Sequence, residues 1–205
     1  MNRMEKLLAE AGFRVANIGY ESTESSIGEL SEDAVPRGIE VCGRVGITHF
    51  VTHSLGGILL RQFLEHNPLP SLGRVVMLGP PNQGSEVIDF YQRFAALEWF
   101  AGPAGLQLGT GEASVPRALG PVRFDLGVIA GTRSLNPILS SMLPEQDDGK
   151  VSVESTRVEG MNDHMEMPVN HVFMMRNKAV VEQVIHYLRQ GEFLRESAVD
   201  GGESP

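Results

Sequence analysis

The stretch Phe50-Val51-Thr52-His53-Ser54-Leu55-Gly56-Gly57 decides the fold predicted for this chain. Apolar and β-branched residues lead into a polar corner, and the residues from Ile58 to His66 then have helical spacing, which Asn67-Pro68 ends. This order predicts a strand, a sharp turn and a helix. A serine at the tip of such a turn projects its Oγ away from both elements, where it can act as a nucleophile.

The five residues from Thr52 to Gly56 match the nucleophile pattern G-x-S-x-G except at the first position, where threonine replaces glycine. A small β-branched residue ending a buried strand is sterically acceptable there. The same residues would also suit an ordinary helix start, with Ser54 as N-cap and a glycine for close packing. The motif alone leaves both interpretations open.

Strands and helices alternate around this stretch. The predicted strands are Phe13–Tyr20, Ile47–Thr52, Arg74–Gly79 and Phe124–Gly131, with Val151-Ser152-Val153 also extended. The predicted helices cover residues 1–11, 27–45 with a kink or division at Pro36, 58–66 and 177–190. Such alternation indicates an α/β fold with a mostly parallel central sheet flanked by helices, in which reactive groups collect at the carboxyl ends of the strands.

Residues 85–121 interrupt this alternation with an aromatic and then glycine-rich segment that contains the only tryptophan, Trp99. A loop of this length predicts a cap-like insertion over the site, with an apolar wall for an acyl or aryl group and Trp99 among the substrate-binding residues. The alternative is a surface insertion whose aromatic side chains pack on one another. We expect one domain over residues 1–195 and a flexible tail over 196–205.

Composition restricts the partners and the compartment. The chain has 205 residues and a net charge of −9 without a basic run, which argues against nucleic acid or an anionic membrane as partner. The single cysteine, Cys42, excludes an intrachain disulfide and fits a reducing compartment. No apolar stretch is long enough to span a bilayer and no signal peptide is recognisable, so a cytoplasmic location is expected. The oligomeric state stays undetermined.

A serine nucleophile needs a base to accept its proton and an acid to orient that base, in the chain order Ser, Asp or Glu, His. The sequence offers Ser54, then Asp148 before the turn at Gly149, then His171 ahead of the last helix. Asp147 is the alternative acid. Asp148 is favoured because it directly precedes the turn.

Other histidines compete for the role of base. His53 adjoins the nucleophile, but on a strand its side chain is expected to face the opposite side. His164 is the serious rival to His171, whereas His66 and His186 lie at helix ends or faces. A metal site formed by Asp163, His164, Glu166 and His171 is a weaker alternative, since no metal-binding spacing supports it.

Four motifs in order resemble the lipase-like serine hydrolases of the α/β-hydrolase superfamily, in particular small bacterial enzymes akin to the GPI inositol-deacylase (PGAP1-like) lipases. These motifs are Thr52-His53-Ser54-Leu55-Gly56-Gly57, Leu78-Gly79-Pro80-Pro81-Asn82-Gln83-Gly84-Ser85, Asp148-Gly149-Lys150-Val151-Ser152-Val153 and Asn170-His171-Val172-Phe173-Met174-Met175.

The resemblance implies cofactor-free hydrolysis of a small-molecule or lipid carboxylic ester, with Ser54 as nucleophile, Asp148 as acid and His171 as base. The backbone N–H of Leu55 would be one donor of the oxyanion hole. The residues implied to line the substrate site are His53, Pro81, Asn82 and Gln83. An acyltransferase would use the same triad and is a weaker alternative.

The sequence departs from these relatives at its start. Their first apolar strand ends in a His-Gly loop that supplies the second oxyanion donor, whereas this chain starts at the following helix. The strand would lie between Phe13–Tyr20 and Ile47–Thr52, and without it backbone groups in mid-sheet would lack partners. Either the chain is a shortened form, or these two strands close up and the site is altered. A catalytically impaired or non-catalytic binding module is therefore a second hypothesis.

Overall fold

The computed structural model describes residues 1–43, 46–92, 102–135, 140, 143 and 146–195. Within these residues one parallel sheet has the order β1 (Thr48–His53), β2 (Leu72–Leu78), β3 (Leu126–Gly131) and β4 (Asp163–Met167). The helices are α1 (Asn2–Glu10), α2 (Ile27–Cys42), α3 (Leu55–His66), α4 (Glu86–Gln92), α5 (Val115–Ala118) and α6 (Lys178–Gln190). Residues 102–106 are also helical. The predicted α/β class with a parallel sheet is confirmed.

The two central strands place alternate side chains in two separate cores. Val76 and Leu78 of β2 pack with α1 and α6 on one face of the sheet. Val75 and Met77 pack with α2 and α3 on the other face. Because both faces of β2 and β3 are covered by helices, these strands read as nearly continuous apolar runs in the sequence.

The strand predicted at Phe13–Tyr20 is wrong. The segment is not paired with any described strand, and its carbonyl groups accept hydrogen bonds from side chains instead, Gly19 O from Arg37 (2.9 Å) and Arg14 O from Cys42 Sγ (3.9 Å). In the described part of the chain, β1 pairs only with β2 and forms one edge of the sheet. The alternative in which the two predicted strands close up is therefore also wrong.

Two other predictions need correction, and one strand was not predicted. The α2 helix continues through Pro36 without division and ends at Cys42, because Gly43 adopts a φ of 77°. Val151 to Val153 form no strand, only an isolated bridge between Asp147 and Ser152. The β4 strand was missed because its sequence, Asp-His-Met-Glu-Met, lacks a β-branched apolar run.

The cap-like insertion predicted for residues 85–121 is described only in part. Ala104 and Leu108 are buried against Ile27, Ile58 and Leu59, so this part of the insertion packs on α2 and α3. Trp99 and the tail over 196–205 lie outside the described residues. No helix in the described ranges is both long and apolar enough to cross a bilayer.

The open edge of β1 predicts an alternating pattern of amide hydrogen exchange. Ser54 N–H donates to Leu78 O (2.9 Å), so Thr52 N–H points toward β2 and the N–H groups of Val51 and His53 point away from it. We expect Val51 and His53 amides to exchange on the order of a hundredfold faster than the Thr52 amide. Residue-resolved exchange by NMR checks this, and equal protection of all three would show that the edge is paired.

Candidate active site

Ser54 occupies a strained turn between β1 and α3. Its φ of 54° and ψ of −126° make it the one non-glycine residue of the described ranges with a positive φ. The Ser54 hydroxyl does not cap α3, whereas Ser26 starts α2 with a φ of −70° and a side chain that accepts from Glu29 N–H. The two helix starts therefore differ. The Ser54 hydroxyl makes no capping hydrogen bond, so the interpretation of Ser54 as an ordinary N-cap does not explain why a serine is there.

The two glycines that follow the turn lie next to Thr52 and Met77. A Cβ on Gly56 would lie 3.6 Å from Thr52 Cβ, and one on Gly57 would lie 3.4 Å from Thr52 Oγ1. The same Cβ on Gly57 would lie 3.0 Å from Met77 Sδ. Helix α3 can thus pack closely on β1 and β2 although the usual first glycine of the motif is absent.

Asp148 and His171 meet at the carboxyl edge of the sheet. His171 Nδ1 lies 2.7 Å from Asp148 Oδ2, and both side chains are buried. Asp148 Oδ1 accepts the backbone N–H groups of Lys150 (3.0 Å) and Val151 (2.9 Å), and His171 N–H donates to Asp148 O (2.9 Å). With the carboxylate oxygens accepting, the imidazole carries its proton on Nδ1 and leaves Nε2 free to accept one.

Two glycines make room for this pair. A Cβ on Gly79 would lie 2.9 Å from Asp148 Oδ2 and 3.1 Å from His171 Nδ1, and one on Gly131 would lie 2.7 Å from Asp148 Cβ. They follow or end β2 and β3, so both strand ends adjoin the pair. The site role of Gly131 was missed from the sequence, where its only signal is its position at the end of an apolar strand.

His53 lies beside His171 rather than on the opposite side as expected. His53 Nε2 is 2.9 Å from His171 O, and the two ring centroids are 4.8 Å apart. Burial first, and then the nearby His171, lower the pKa of His53 to about 4, so its ring is neutral at neutral pH.

Ser54 is linked to this pair through its neighbours. His53 directly precedes it, and Ser54 N–H donates to Leu78 O, next to Gly79. Within the described ranges Ser54 Oγ makes no hydrogen bond to His171. In enzymes without bound substrate the bond between nucleophile and base is often long.

The rival candidates lie elsewhere. Asp147 Oδ1 accepts from Ser140 Oγ (2.8 Å) and from Gly149 N–H (2.7 Å), not from a histidine. His164 Nε2 pairs with Thr156 Oγ1 (2.9 Å), and burial lowers its pKa to about 4. No group of three or more metal-binding side chains occurs among the described residues.

The loop after β2 contains the other predicted substrate-binding residues. Asn82 is buried and its amide is occupied, with Nδ2 donating to Thr156 O (2.8 Å) and Oδ1 accepting from Arg61 (3.0 Å). Gln83 N–H donates to Ser155 O (3.0 Å), and Pro81 O accepts from Gly84 N–H (3.0 Å). The Asn82 side chain therefore stabilises the loop after β2 through these hydrogen bonds.

Arg61 is a buried cation of α3 that the sequence interpretation did not single out. Its guanidinium donates to Asn82 O, Pro116 O and Gly120 O, and burial lowers its pKa to about 10. Arg61 thus connects α3 by hydrogen bonds to the loop after β2 and to the insertion over residues 85–121. Its signal in the sequence is a lone arginine on the apolar side of an amphipathic helix.

Two cavities follow the open edge of β1. One of about 280 Å³ is lined by Tyr20, Thr52, His53 and Gly56 beside the elbow and by apolar side chains further in. The other, of about 520 Å³, lies toward the start of the strand. The space between β1 and the segment 13–20 is thus open.

Comparison with known proteins identifies the fold. No protein-family model and no curated protein matches the sequence. Among solved structures, the mature form of Bacillus licheniformis lipase BlEst2 is similar with a TM-score of 0.52 and 20% identity, over 72% of this chain and 68% of that chain. Phospholipase PlaB from Legionella pneumophila is similar with a TM-score of 0.58 and 20% identity, over 76% of this chain and 41% of that chain.

The chain has the α/β-hydrolase fold. The propeptide form of BlEst2 gives the same result, with a TM-score of 0.57 and 18% identity over 75% of this chain. The chain spans 38% of this propeptide form and 41% of PlaB, which is less than half of each of these two chains. In this α/β-hydrolase fold, Ser54 directly follows β1, and Asp148 and His171 lie in loops at the carboxyl edge of the sheet.

Replacing Gly79 by alanine should disrupt the pair of Asp148 and His171. The new Cβ would crowd both side chains, and a φ of 52° is strained for alanine. We expect a loss of about 1–3 kcal/mol in unfolding free energy and loss of the low-field NMR signal of His171 Nδ1–H. Gly12→Ala is the control, because Gly12 also has a positive φ (94°) but open space around it. An unchanged signal in Gly79→Ala would contradict the close packing.

The lowered pKa values of His53 and His164 predict that the folded protein loses stability in acid. In the unfolded chain His53 and His164 take up protons near pH 6.5, whereas in the folded chain they do so near pH 4. The unfolded state therefore binds more protons between these values, and the unfolding free energy should fall as the pH is lowered from about 6.5 to about 4. Urea titrations across this range check it, and the double variant His53→Gln/His164→Gln should show a shallower decline.

Proposed function

We propose that the chain is a serine hydrolase of carboxylic esters, with Ser54 as nucleophile, His171 as general base and Asp148 as the residue that orients the base. The observation that carries this proposal is the buried hydrogen bond of 2.7 Å between His171 and Asp148, beside the strained elbow of Ser54. The lipase and phospholipase neighbours support an ester as substrate class.

The proposed reaction passes through an acyl-enzyme. Ser54 Oγ attacks the ester carbonyl while its proton passes to His171 Nε2, and Asp148 stabilises the resulting imidazolium through Nδ1–H. The tetrahedral intermediate collapses, and the alcohol leaves with the proton from His171. Water then attacks the acyl-enzyme, with His171 again accepting a proton, and the carboxylic acid is released.

The oxyanion would be stabilised in part by Leu55 N–H. Leu55 is the first residue of α3, and the first N–H groups of a helix have no acceptor within the helix. They also lie at the positive end of the helix dipole. A second donor in the gap beside β1 is not provided by a described strand, and lack of one donor typically costs about a hundred- to a thousandfold in rate.

That gap favours a second candidate, a binding module of low or no hydrolytic activity. Its support is the open edge of β1 with cavities of about 280 and 520 Å³ where the resemblance places the strand and its loop. In this case a substrate-like ester would bind without turnover. Transfer of the acyl group to an added alcohol or amine would instead indicate an acyltransferase.

Hydrolysis of p-nitrophenyl esters of increasing acyl length tests the proposal. Ser54→Ala should lower kcat/KM by about a thousandfold or more, and Asp148→Asn should do so by a similar factor because the wrong tautomer of His171 results. The matched control is Asp147→Asn, which leaves the bond between Asp148 and His171 in place and should retain most of the activity.

A fluorophosphonate probe separates the two candidates. Labelling of Ser54 in the folded protein, absent in Ser54→Ala, supports a working nucleophile even when turnover is slow. Ester hydrolysis that survives Ser54→Ala would exclude the proposed mechanism. A folded protein that neither turns over esters nor reacts with the probe would favour the binding module.

A further inference from the structure

We propose that His53 is a positioning residue that holds the general base His171 at a fixed distance from Ser54. This inference rests on the proposed function. It is carried by the hydrogen bond of 2.9 Å between His53 Nε2 and His171 O, which joins the residue before the nucleophile to the backbone of the base.

The direction of this bond fixes the protonation of His53. A backbone carbonyl can only accept, so His53 Nε2 carries a proton and donates it. In the neutral ring, Nδ1 is then without a proton. His53 thus differs from His171, whose proton lies on Nδ1 toward Asp148.

The other hydrogen bonds of His171 do not set its distance from Ser54. Its backbone N–H and its Nδ1 both bind Asp148, which fixes the imidazole relative to the loop of Asp148. Of the hydrogen bonds of His171 within the described ranges, the one from His53 leads to β1, the strand that ends next to Ser54. The remaining links are the contact between the rings of His53 and His171, whose centroids lie 4.8 Å apart, and the close packing of His171 on Gly79. Removal of the His53 bond should therefore loosen the base relative to the nucleophile.

The charge state of His53 suits this position. The ring centroids of the two histidines are 4.8 Å apart, so a cation on His53 would oppose the imidazolium that His171 becomes during acylation. Burial and the neighbouring His171 and Lys150 lower the pKa of His53, against opposing effects of Asp148 and of the hydrogen bond to His171 O. A neutral His53 ring can hold His171 in place without repelling the positive charge that forms on it.

Two variants of His53 separate positioning from packing. His53→Leu keeps an apolar body but removes the donor, and should lower kcat for a short p-nitrophenyl ester about 10- to 100-fold, with KM changed by no more than about twofold. His53→Gln retains an N–H donor at similar reach and should restore most of kcat. The control His49→Leu removes a histidine of the same strand that accepts from Arg74 N–H (2.9 Å), and should leave kcat near that of the parent.

NMR provides a readout that does not need turnover. The ¹⁵N shifts of the imidazoles should identify His53 as the Nε2–H form, and the ¹³C shift of the His171 carbonyl should move in His53→Leu but not in His49→Leu. Unchanged kcat in His53→Leu, equal losses in His53→Leu and His53→Gln, or an unmoved His171 carbonyl would each overturn the inference. Failure of the proposed function would appear separately, as an absence of Ser54-dependent hydrolysis in the parent chain.

Discussion

The backbone strain at Ser54 is the constraint on which the rest of the site depends. A positive φ at a serine costs on the order of 1–3 kcal/mol and persists only when its surroundings enforce it. Here Ser54 N–H continues the parallel ladder to Leu78 O, and Gly57 N–H donates to Ser54 O as α3 begins. The buried side chains of α3, among them Ile58 and Leu60, hold the helix against the domain. The turn therefore has little freedom to relax, and the hydroxyl stays out of the helix cap.

The parallel sheet brings the other groups to the same edge. β2 ends at Leu78 and β3 at Gly131, and the glycines there leave the space that Asp148 and His171 fill. Two backbone N–H groups bind one carboxylate oxygen of Asp148, so the other oxygen is directed at His171. His53 adds a hydrogen bond from β1 to the backbone carbonyl of His171. Residues at the ends of three strands, β1, β2 and β3, thus contact the pair of Asp148 and His171.

The open edge of β1 gives the site an unusual boundary. In the described part of the chain its outward backbone groups face cavities instead of a strand, while its inner groups pair with β2. The elbow is consequently hydrogen-bonded on the side of β2 and open on the side where the proposed hydrolysis would need a second oxyanion donor.

The sequence by itself determined the alternation of strands and helices, the elbow and the chain order of Ser54, Asp148 and His171, because these depend on local periodicity and turn chemistry. It could not determine whether Phe13–Tyr20 joins the sheet. A segment with a strand-like sequence becomes a strand only where the edge of a neighbouring strand accepts its hydrogen bonds. The strand β4 was not predicted because its sequence lacks a β-branched apolar run, and it forms because β3 offers it a neighbouring edge. Only the tertiary structure placed His53 against His171, because the facing of a side chain at a strand end depends on the loop that packs over it. The distances between groups distant in sequence depend on packing, which no local pattern encodes.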